Sequence, residues 1–345
     1  MKKAIALLLA LMMTLCLFAG CGNDASTPAD DGSTPADDTS TPADDTSAPD
    51  NSDITIGFIP MNLNNEFYVY MENGARKAAE ELGVNITVQG SMSGSDVASQ
   101  LEFIENMIAS GVSAIVISPA GSDGLTTGLQ KCQEAGIPVI NVDSGFDKPI
   151  IEAAGLDPIP FLGSDDYAGT TLAGQWVAEN VTDAKCGIIT GLSGIPIAID
   201  REEGFINGLG DAGEIVATQA GDWDLDTAYQ VTQNMITAHP EMNVIFASSD
   251  QMAVGAIQAI EEAGRSGEIT VLSYDGVSAG IENVKAGKQA VTVSQDPIAM
   301  GYDGVKMAYA AINGEEIALD TRTGNEVLTK DTVADWEAYI APYGE

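Results

Sequence analysis

Residues 54–70, ITIGFIPMNLNNEFYVY, open the folded part of the chain and set its architecture. Ile54, Thr55 and Ile56 begin an apolar, β-branched run that reads as a buried strand over 54–59. Pro60 ends it. The polar turn Asn62-Leu63-Asn64-Asn65 then leads into a helical pattern whose first turn holds Phe67 and Tyr68. In an open α/β sheet, ligands sit beyond the carboxyl ends of the strands. Two amides and two adjacent aromatics at such a place are suited to gripping a small polar molecule.

The same alternation continues almost to the end of the chain. Candidate strands cover 54–59, 85–89, 114–117, 138–142, 160–162, 186–190, 215–219, 244–247, 270–274 and 290–294. Helical patterns between them cover 67–82, 96–110, 167–180, 199–212, 227–239, 250–263 and 297–313. Alternating strands and helices imply parallel sheets covered on both faces. So many strands favour two similar doubly wound α/β lobes over a single sheet. The divide is expected near Gly163-Ser164-Asp165, after an irregular stretch over 147–160. Asp96, Asp123, Ser164 or Asp165, and Asp250 read as N-caps, and Gly83, Gly111, Gly136 and Gly264 as helix stops.

Ahead of this region, residues 1–20 carry Lys2 and Lys3, a long apolar run and a small-residue end, the pattern of an export signal. Leu17-Phe18-Ala19-Gly20 before Cys21 is similar to a bacterial lipobox, although that pattern prefers Leu where Phe18 stands. Cys21 is therefore expected to be lipidated, the competing reading being an ordinary cleaved signal. Residues 21–53 repeat STPADD from Ser26, Ser33 and Ser40, with aspartates and no basic residue. Such a segment cannot offset its chain entropy and reads as a disordered acidic tether, as an anchored domain requires.

The chain has 345 residues, with 51 Asp+Glu against 14 Lys+Arg and a formal net charge of −37. That field repels nucleic acid and anionic membrane surfaces, so no nucleic-acid partner is expected and membrane contact is confined to the lipid anchor. The four cysteines show no metal or scaffold spacing, and Cys132 and Cys186 read as buried free thiols. Catalytic spellings fail on context. Gly276-Val277-Ser278-Ala279-Gly280 matches G-x-S-x-G, but the single histidine, His239, precedes the serine, whereas nucleophile-elbow hydrolases place it after. Gly208, Gly210 and Gly213 close a helix rather than open one. Asp222, Asp224 and Asp226 start like a calcium loop, yet Thr227 and Gln233 stand where Gly and Glu are needed. Neither an enzyme nor a metal or other cofactor is expected.

Polar and aromatic residues gather instead at strand ends. Beside Asn65, Phe67 and Tyr68 there are Asp143 after PVINV, Arg201 in IAIDREEGF and Trp223 in GDWD beyond IVATQ. Asp250 follows VIFASS, Asp275 follows VLSY and Gln295 follows AVTVS. Singly they read as caps, a solvated charge or a loop anchor. Together they supply fixed donors, acceptors and aromatic faces, matching the hydroxyl rim and apolar ring faces of a sugar.

From residue 54 to about 339 the chain resembles the ribose-type periplasmic sugar-binding proteins of ABC importers. The resemblance rests on LNNEFYVYMENGA, IPVINVD, SDDYAGTTLAG, DREEGF, GDWD, QNMITAHPEMNVIFASSDQMAVGA, LSYDG and VTVSQDP, in that order. It implies ligand-binding roles for Asn65, Phe67, Tyr68, Asp143, Ser144, Arg201, Trp223, Ser249, Asp275 and Gln295. A ribose binder would carry arginine at Ser144, asparagine at Ser249, phenylalanine at Tyr68 and a smaller ring at Trp223. These departures point to a hexose, a deoxy or keto sugar, or a polyol such as inositol, with ribose plus bridging water still open.

The resemblance further implies a monomer with three crossings between the lobes, near Ser164, near Gln295 and near residue 323. One lobe would comprise 54–164 plus about 296–323, the other 165–295 plus about 324–345. Ligand touching both lobes would favour closure, and a membrane permease would recognise the closed form. Two other readings share the fold. A transcription regulator would need a helix-turn-helix where this chain has signal and tether; a module presenting sugar to a membrane receptor is not separable from import by sequence.

Overall fold

The computed structural model describes residues 51–344, so the expected signal, Cys21 and most of the tether lie outside the described residues. Strand β1 (Thr55–Ile59) is buried along nearly its whole length and has parallel neighbours on both sides, β2 (Asn85–Val88) and β3 (Ala114–Ile117). That placement explains why TIGFI reads as a continuous apolar run rather than an alternating one. Gly57 in its middle leaves the space that the Met107 side chain occupies, since a Cβ there would lie 2.4 Å from Met107 Sδ. With β4 (Val139–Val142), β5 (Phe161–Ser164) and β11 (Asp320–Thr323) these strands form an all-parallel six-stranded sheet in the order β11-β5-β4-β3-β1-β2.

The second sheet repeats the plan. Strands β6 (Ala184–Thr190), β7 (Gly213–Ala220), β8 (Val244–Ala247), β9 (Thr270–Asp275), β10 (Val291–Ser294) and β12 (Val327–Leu328) lie in the order β12-β10-β9-β8-β6-β7. Only β12 runs antiparallel. In each sheet the chain starts in the interior, steps to one edge and returns on the other side of its first strand. Each lobe therefore has a topological switch point beside β1 or β6, where a ligand crevice is expected.

Helices cover both faces of each sheet. In the first lobe, α1 (Glu66–Leu82) and α10 (Pro297–Ile312) pack on one face, where Ala114 and Val116 of β3 point. Helices α2 (Val97–Ser110) and α3 (Thr126–Ala135) cover the other, meeting Ile115 and Ile117. In the second lobe, α5 (Asp166–Asn180) and α6 (Pro196–Leu209) bury Val244 and Phe246, while α7 (Leu225–Ala238) and α8 (Asp250–Glu262) bury Ile245 and Ala247. Period-two strands between helices on both sides thus generate two apolar layers per lobe. The α1–α10 contact needs glycine: a Cβ on Gly301 would stand 1.8 Å from the Met71 carbonyl oxygen.

The chain passes between sheets three times, after Ser164 at the end of β5, after Ser294 at the end of β10, and between β11 and β12. Helix α11 (Val333–Ile340) then packs on the second lobe, where Trp336 Nε1 donates to the Gly276 carbonyl (2.7 Å) and Lys285 pairs with Glu337. The last residues depart from the expected assignment of the tail to that lobe alone. Tyr343 returns to α1, accepting from Asn73 Nδ2 through its carbonyl (2.8 Å) and from Lys77 Nζ through its hydroxyl (3.0 Å).

Other expectations also need correction. The stretch 147–160 is not wholly irregular: α4 (Lys148–Ala153) forms where Asp147 caps Ile150 N and Pro149 occupies the first turn. Strands β11 and β12 were not anticipated, because DTRT and VL gain strand structure only from the edges they pair with. Asp165 and Asp96 do cap their helices, but Asp123 opens a short 3-10 turn and makes no side-chain cap. At α8 the cap is Ser249, whose Oγ accepts from Met252 N (3.2 Å). Asp250 is instead fully buried and accepts from Thr292 Oγ1 (2.8 Å), Val277 N (2.9 Å) and Ser273 Oγ. Cys132 and Cys186 are buried free thiols, and burial pushes them up to about 11 and about 12.

Candidate functional site

The carboxyl ends of the two sheets face one another across a narrow cavity of about 20 Å³. Nine sequence-predicted residues border it: Asn65, Phe67, Tyr68 and Asp143 from the first lobe, Arg201, Trp223, Ser249 and Asp275 from the second, and Gln295 at a crossing. Ser144 does not. It is buried behind Asp143, where its carbonyl accepts from Asn141 Nδ2 (2.7 Å) and its backbone N–H supports the Asp143 carboxylate. Ser144 thus stands outside the lining, next to the left-handed turn at Asp143 (φ 62°). Met61, Asn62 and Ile197 border the cavity and were not predicted.

Arg201 is the electrostatic centre. It is 3 % exposed, and its charge is met by polar and aromatic partners. Its Nε donates to Asp166 (2.7 Å), and its Nη1 donates to the Ser248 carbonyl (2.7 Å) and to Asp275 Oδ1 (3.4 Å). Its guanidinium carbon lies 4.4 Å from the centre of the Tyr274 ring and 5.1 Å from that of Trp223. Burial works against the charge, but Asp166 and Asp275 outweigh it and hold the guanidinium above its ordinary value. A buried cation with two carboxylates is costly to assemble and more costly to break. Nη2 makes none of these bonds.

Asp143 faces it from the first lobe. Its Oδ2 accepts from Tyr68 OH (2.9 Å) and Ser118 Oγ (2.7 Å). Burial raises the Asp143 carboxyl, opposed by Arg201 and these donors; burial and then Asp143 raise the Tyr68 phenol well above its usual range. Asp275 is raised well above the carboxylate range by burial, with Arg201 opposing. Gln295 bridges two crossings, accepting from Ser164 Oγ (2.6 Å) and donating to Asp275 Oδ1 (2.7 Å). Asn65 spends its oxygen on the cap of α1, accepting from Phe67 N (2.9 Å), which leaves its Nδ2 as the side-chain donor.

Three of the five described non-glycine residues with positive φ, Asp143, Trp223 and Asp275, border this cavity. Backbone strain of roughly 1–3 kcal/mol per such residue concentrates where ligand-facing groups must be aimed. Phe67 and Tyr68 meet edge to face at 5.3 Å, so one presents its face while the other holds it upright. The supporting residues Ser118 and Asp166 escaped sequence reading. Ser118 follows β3, and the rule that strand ends carry the site would have found it; Asp166 was masked by its neighbour Asp165, the cap.

Outside the cavity the lobes also touch directly. Tyr70 OH of α1 lies 2.6 Å from Ser278 Oγ, and Glu66 Oε2 accepts from Ala279 N (3.3 Å) in the first turn of α9 (Ser278–Ala286). Val277, the N-cap of α9, offers no side-chain bond, so the carboxylate of the opposite lobe fills that role. The G-x-S-x-G spelling therefore serves an interlobe contact through Ser278 and Ala279, while Gly280 makes room within its own lobe for the Asp250 carboxylate, 2.2 Å from where a Cβ would stand. In the apparent calcium loop, Asp224 caps α7 through Thr227 N (2.8 Å).

Residues 56–316 match the periplasmic binding protein domain family. The D-ribose/D-allose-binding protein of Pseudomonas aeruginosa is 35% identical over 228 residues, 65% of this chain and 71% of that protein. Among solved structures, a periplasmic solute-binding protein of an ABC transporter from Actinobacillus succinogenes with bound D-allose has a TM-score of 0.78 and 32% identity, covering 82% of this chain and 99% of that one. An ABC transporter solute-binding protein from Bacillus halodurans with bound myo-inositol has a TM-score of 0.74 and 29% identity, covering 84% and 99%. With two doubly wound lobes, three crossings and a buried arginine–carboxylate cleft, the chain belongs to the periplasmic binding protein family, in its ribose-type sugar-binding branch.

Proposed function

We propose that the protein captures a monosaccharide or related polyol between its lobes and delivers it to an ABC permease. The observation that carries this reading is the cavity between the lobes, bordered by Arg201, Asp143, Asp275, Asn65 and Ser249 together with Phe67, Tyr68 and Trp223. Opposed charges held in fixed positions suit an uncharged ligand rich in hydroxyls, and aromatic faces cover its C–H surfaces. Related proteins of this branch carry D-allose or myo-inositol. The residues beside Arg201 are committed to holding it, and the protein acts by binding and closing rather than by turnover.

The lobes, 54–164 plus about 296–323 and 165–295 plus about 324–345, act as two bodies about a hinge at the three crossings. Ligand contacts on both sides favour the closed state. Residues 1–20 serve as an export signal, Cys21 as the lipid attachment, and 21–53 as the tether of a monomer held outside the cytoplasmic membrane. Loss of lipid incorporation in Cys21→Ala tests the anchor. For the ligand, a thermal-shift screen of pentoses, hexoses, deoxy sugars and polyols is the direct test. A ligand at 100 times its Kd adds about 2.7 kcal/mol of stability. A panel in which no carbohydrate raises the Tm overturns the sugar reading.

A further inference from the structure

Trp223 Nε1 is the buried side-chain polar atom without a hydrogen-bond partner among the described residues that border the cavity. The residue is 8 % exposed and its backbone is left-handed (φ 59°), as is that of Asp222, so the loop after β7 is bent to bring the indole inward. The six-membered ring fills the space above Gly191, where a Cβ would come within 1.9 Å of Trp223 Cζ2. Cε2, which carries Nε1, lies 2.2 Å from the same point, and the pyrrole ring extends from there toward the first lobe: Cδ1 lies 3.8 Å from the point where a Gly94 Cβ would stand, and Asn62 Nδ2 lies 3.3 Å from that point.

Asn62 and Arg201, on either side of the indole, offer this N–H no acceptor. Asn62 turns its oxygen to the backbone of Asn64 and Asn65 and its Nδ2 toward the gap. Arg201, over the Trp223 ring, is itself a donor. An indole N–H enclosed with donors recovers its desolvation cost only when the ligand supplies the oxygen. A Phe or Tyr ring at this position would stack equally well and ask nothing of the ligand there.

We infer that Trp223 Nε1 is a specificity-determining donor: the cleft selects a sugar or polyol carrying a hydroxyl against the indole edge and rejects the analogue deoxygenated there. This deepens the sugar reading above and rests on it. A site built to pair with a ligand oxygen discriminates against the analogue lacking it because a buried polar group is then left unpaired.

The test uses D-ribose, D-allose and myo-inositol as probes, with calorimetric Kd values for the tightest binder and each of its monodeoxy analogues, on wild type and Trp223→Phe. Expected is a loss of about tenfold for the parent sugar in Trp223→Phe. One monodeoxy analogue should show the same loss on wild type and no further loss on the variant. In ¹H–¹⁵N spectra, one of the three indole signals, distinct from that of Trp336 bonded to Gly276, should move downfield on binding. Parent binding that is unchanged in Trp223→Phe, or a loss shared equally by all analogues, overturns the inference while leaving the sugar reading standing. A wild type that binds none of the probes, or any other carbohydrate of the thermal-shift panel, overturns both.

Discussion

Tyr70 and Glu66 belong to the first lobe, yet their polar atoms end on the first turn of α9 in the second. Their removal therefore acts on the balance between open and closed forms rather than on either lobe. In a Tyr70→Phe, Glu66→Gln double variant the 2.6 Å contact to Ser278 is lost, and Ala279 N–H keeps a neutral acceptor in place of a carboxylate. A neutral hydrogen bond is worth about 1 kcal/mol net, and a carboxylate at a helix N-terminus roughly 0.3–1 kcal/mol. The sum, about 1.3–2 kcal/mol, lowers the closed-to-open ratio roughly 9–30-fold. Where the closed form is the minor state of the empty protein, the apparent Kd rises by that factor, because affinity scales with the competent fraction. Where it is the major state, the change appears instead as a larger radius of gyration in small-angle scattering of the empty protein. None of the cavity-bordering residues is altered, so titration calorimetry and scattering together read closure alone. A double variant with unaltered Kd and unaltered scattering would refute the reasoning.

Arg201→Ala leaves Asp166 and Asp275 buried without their cation and should cost about 3–5 kcal/mol of stability along with sugar binding. Asp275→Ala leaves the Arg201–Asp166 pair intact, so binding should vanish with a smaller drop in Tm; a sugar-induced shift retained in both variants would place the site elsewhere. Gly191→Ala pushes a methyl into the Trp223 indole and should weaken sugar binding about tenfold, with circular dichroism unchanged. Burial raises Asp166 from its ordinary 3.8 to about 6, against the pull of Arg201. A carboxyl raised by folding takes up a proton on folding, so its contribution to stability is full below about 3.8 and is lost as pH rises through about 6. Sugar affinity should run the other way. It falls as pH drops through about 6, where protonation of Asp166 frees Arg201, and Asp166→Asn should bind more weakly with a flatter pH profile.

Much of this protein is decided locally. The run TIGFI, the turn that follows and the cap at Asn65 specify β1, its switch-point loop and α1 from adjacent residues, and the same grammar recurs at β8 and β10, which lead into the caps Ser249 and Asp296. Buried parallel strands need apolar runs and their helices need caps and stops, so element order, two-lobe architecture and the strand-end position of most cavity residues are legible in the sequence. Where two segments distant in the chain must meet, local pattern is silent. Strands β11 and β12 exist because β5 and β10 offer edges, and Tyr343 finds α1 across the molecule. Asp165 and Asp166 are adjacent acids, yet one caps a helix in solvent and the other holds Arg201 in a buried cleft. Ser144 and Asp143 are neighbours too, yet at this left-handed turn only Asp143 borders the cavity. Sequence by itself determined the two lobes and the chemical types gathered at their rims. Only the tertiary structure decided which atoms are already spent on one another and which, like Trp223 Nε1, are left for a ligand, because hydrogen-bond partners here are set by packing across the chain and not by spacing along it.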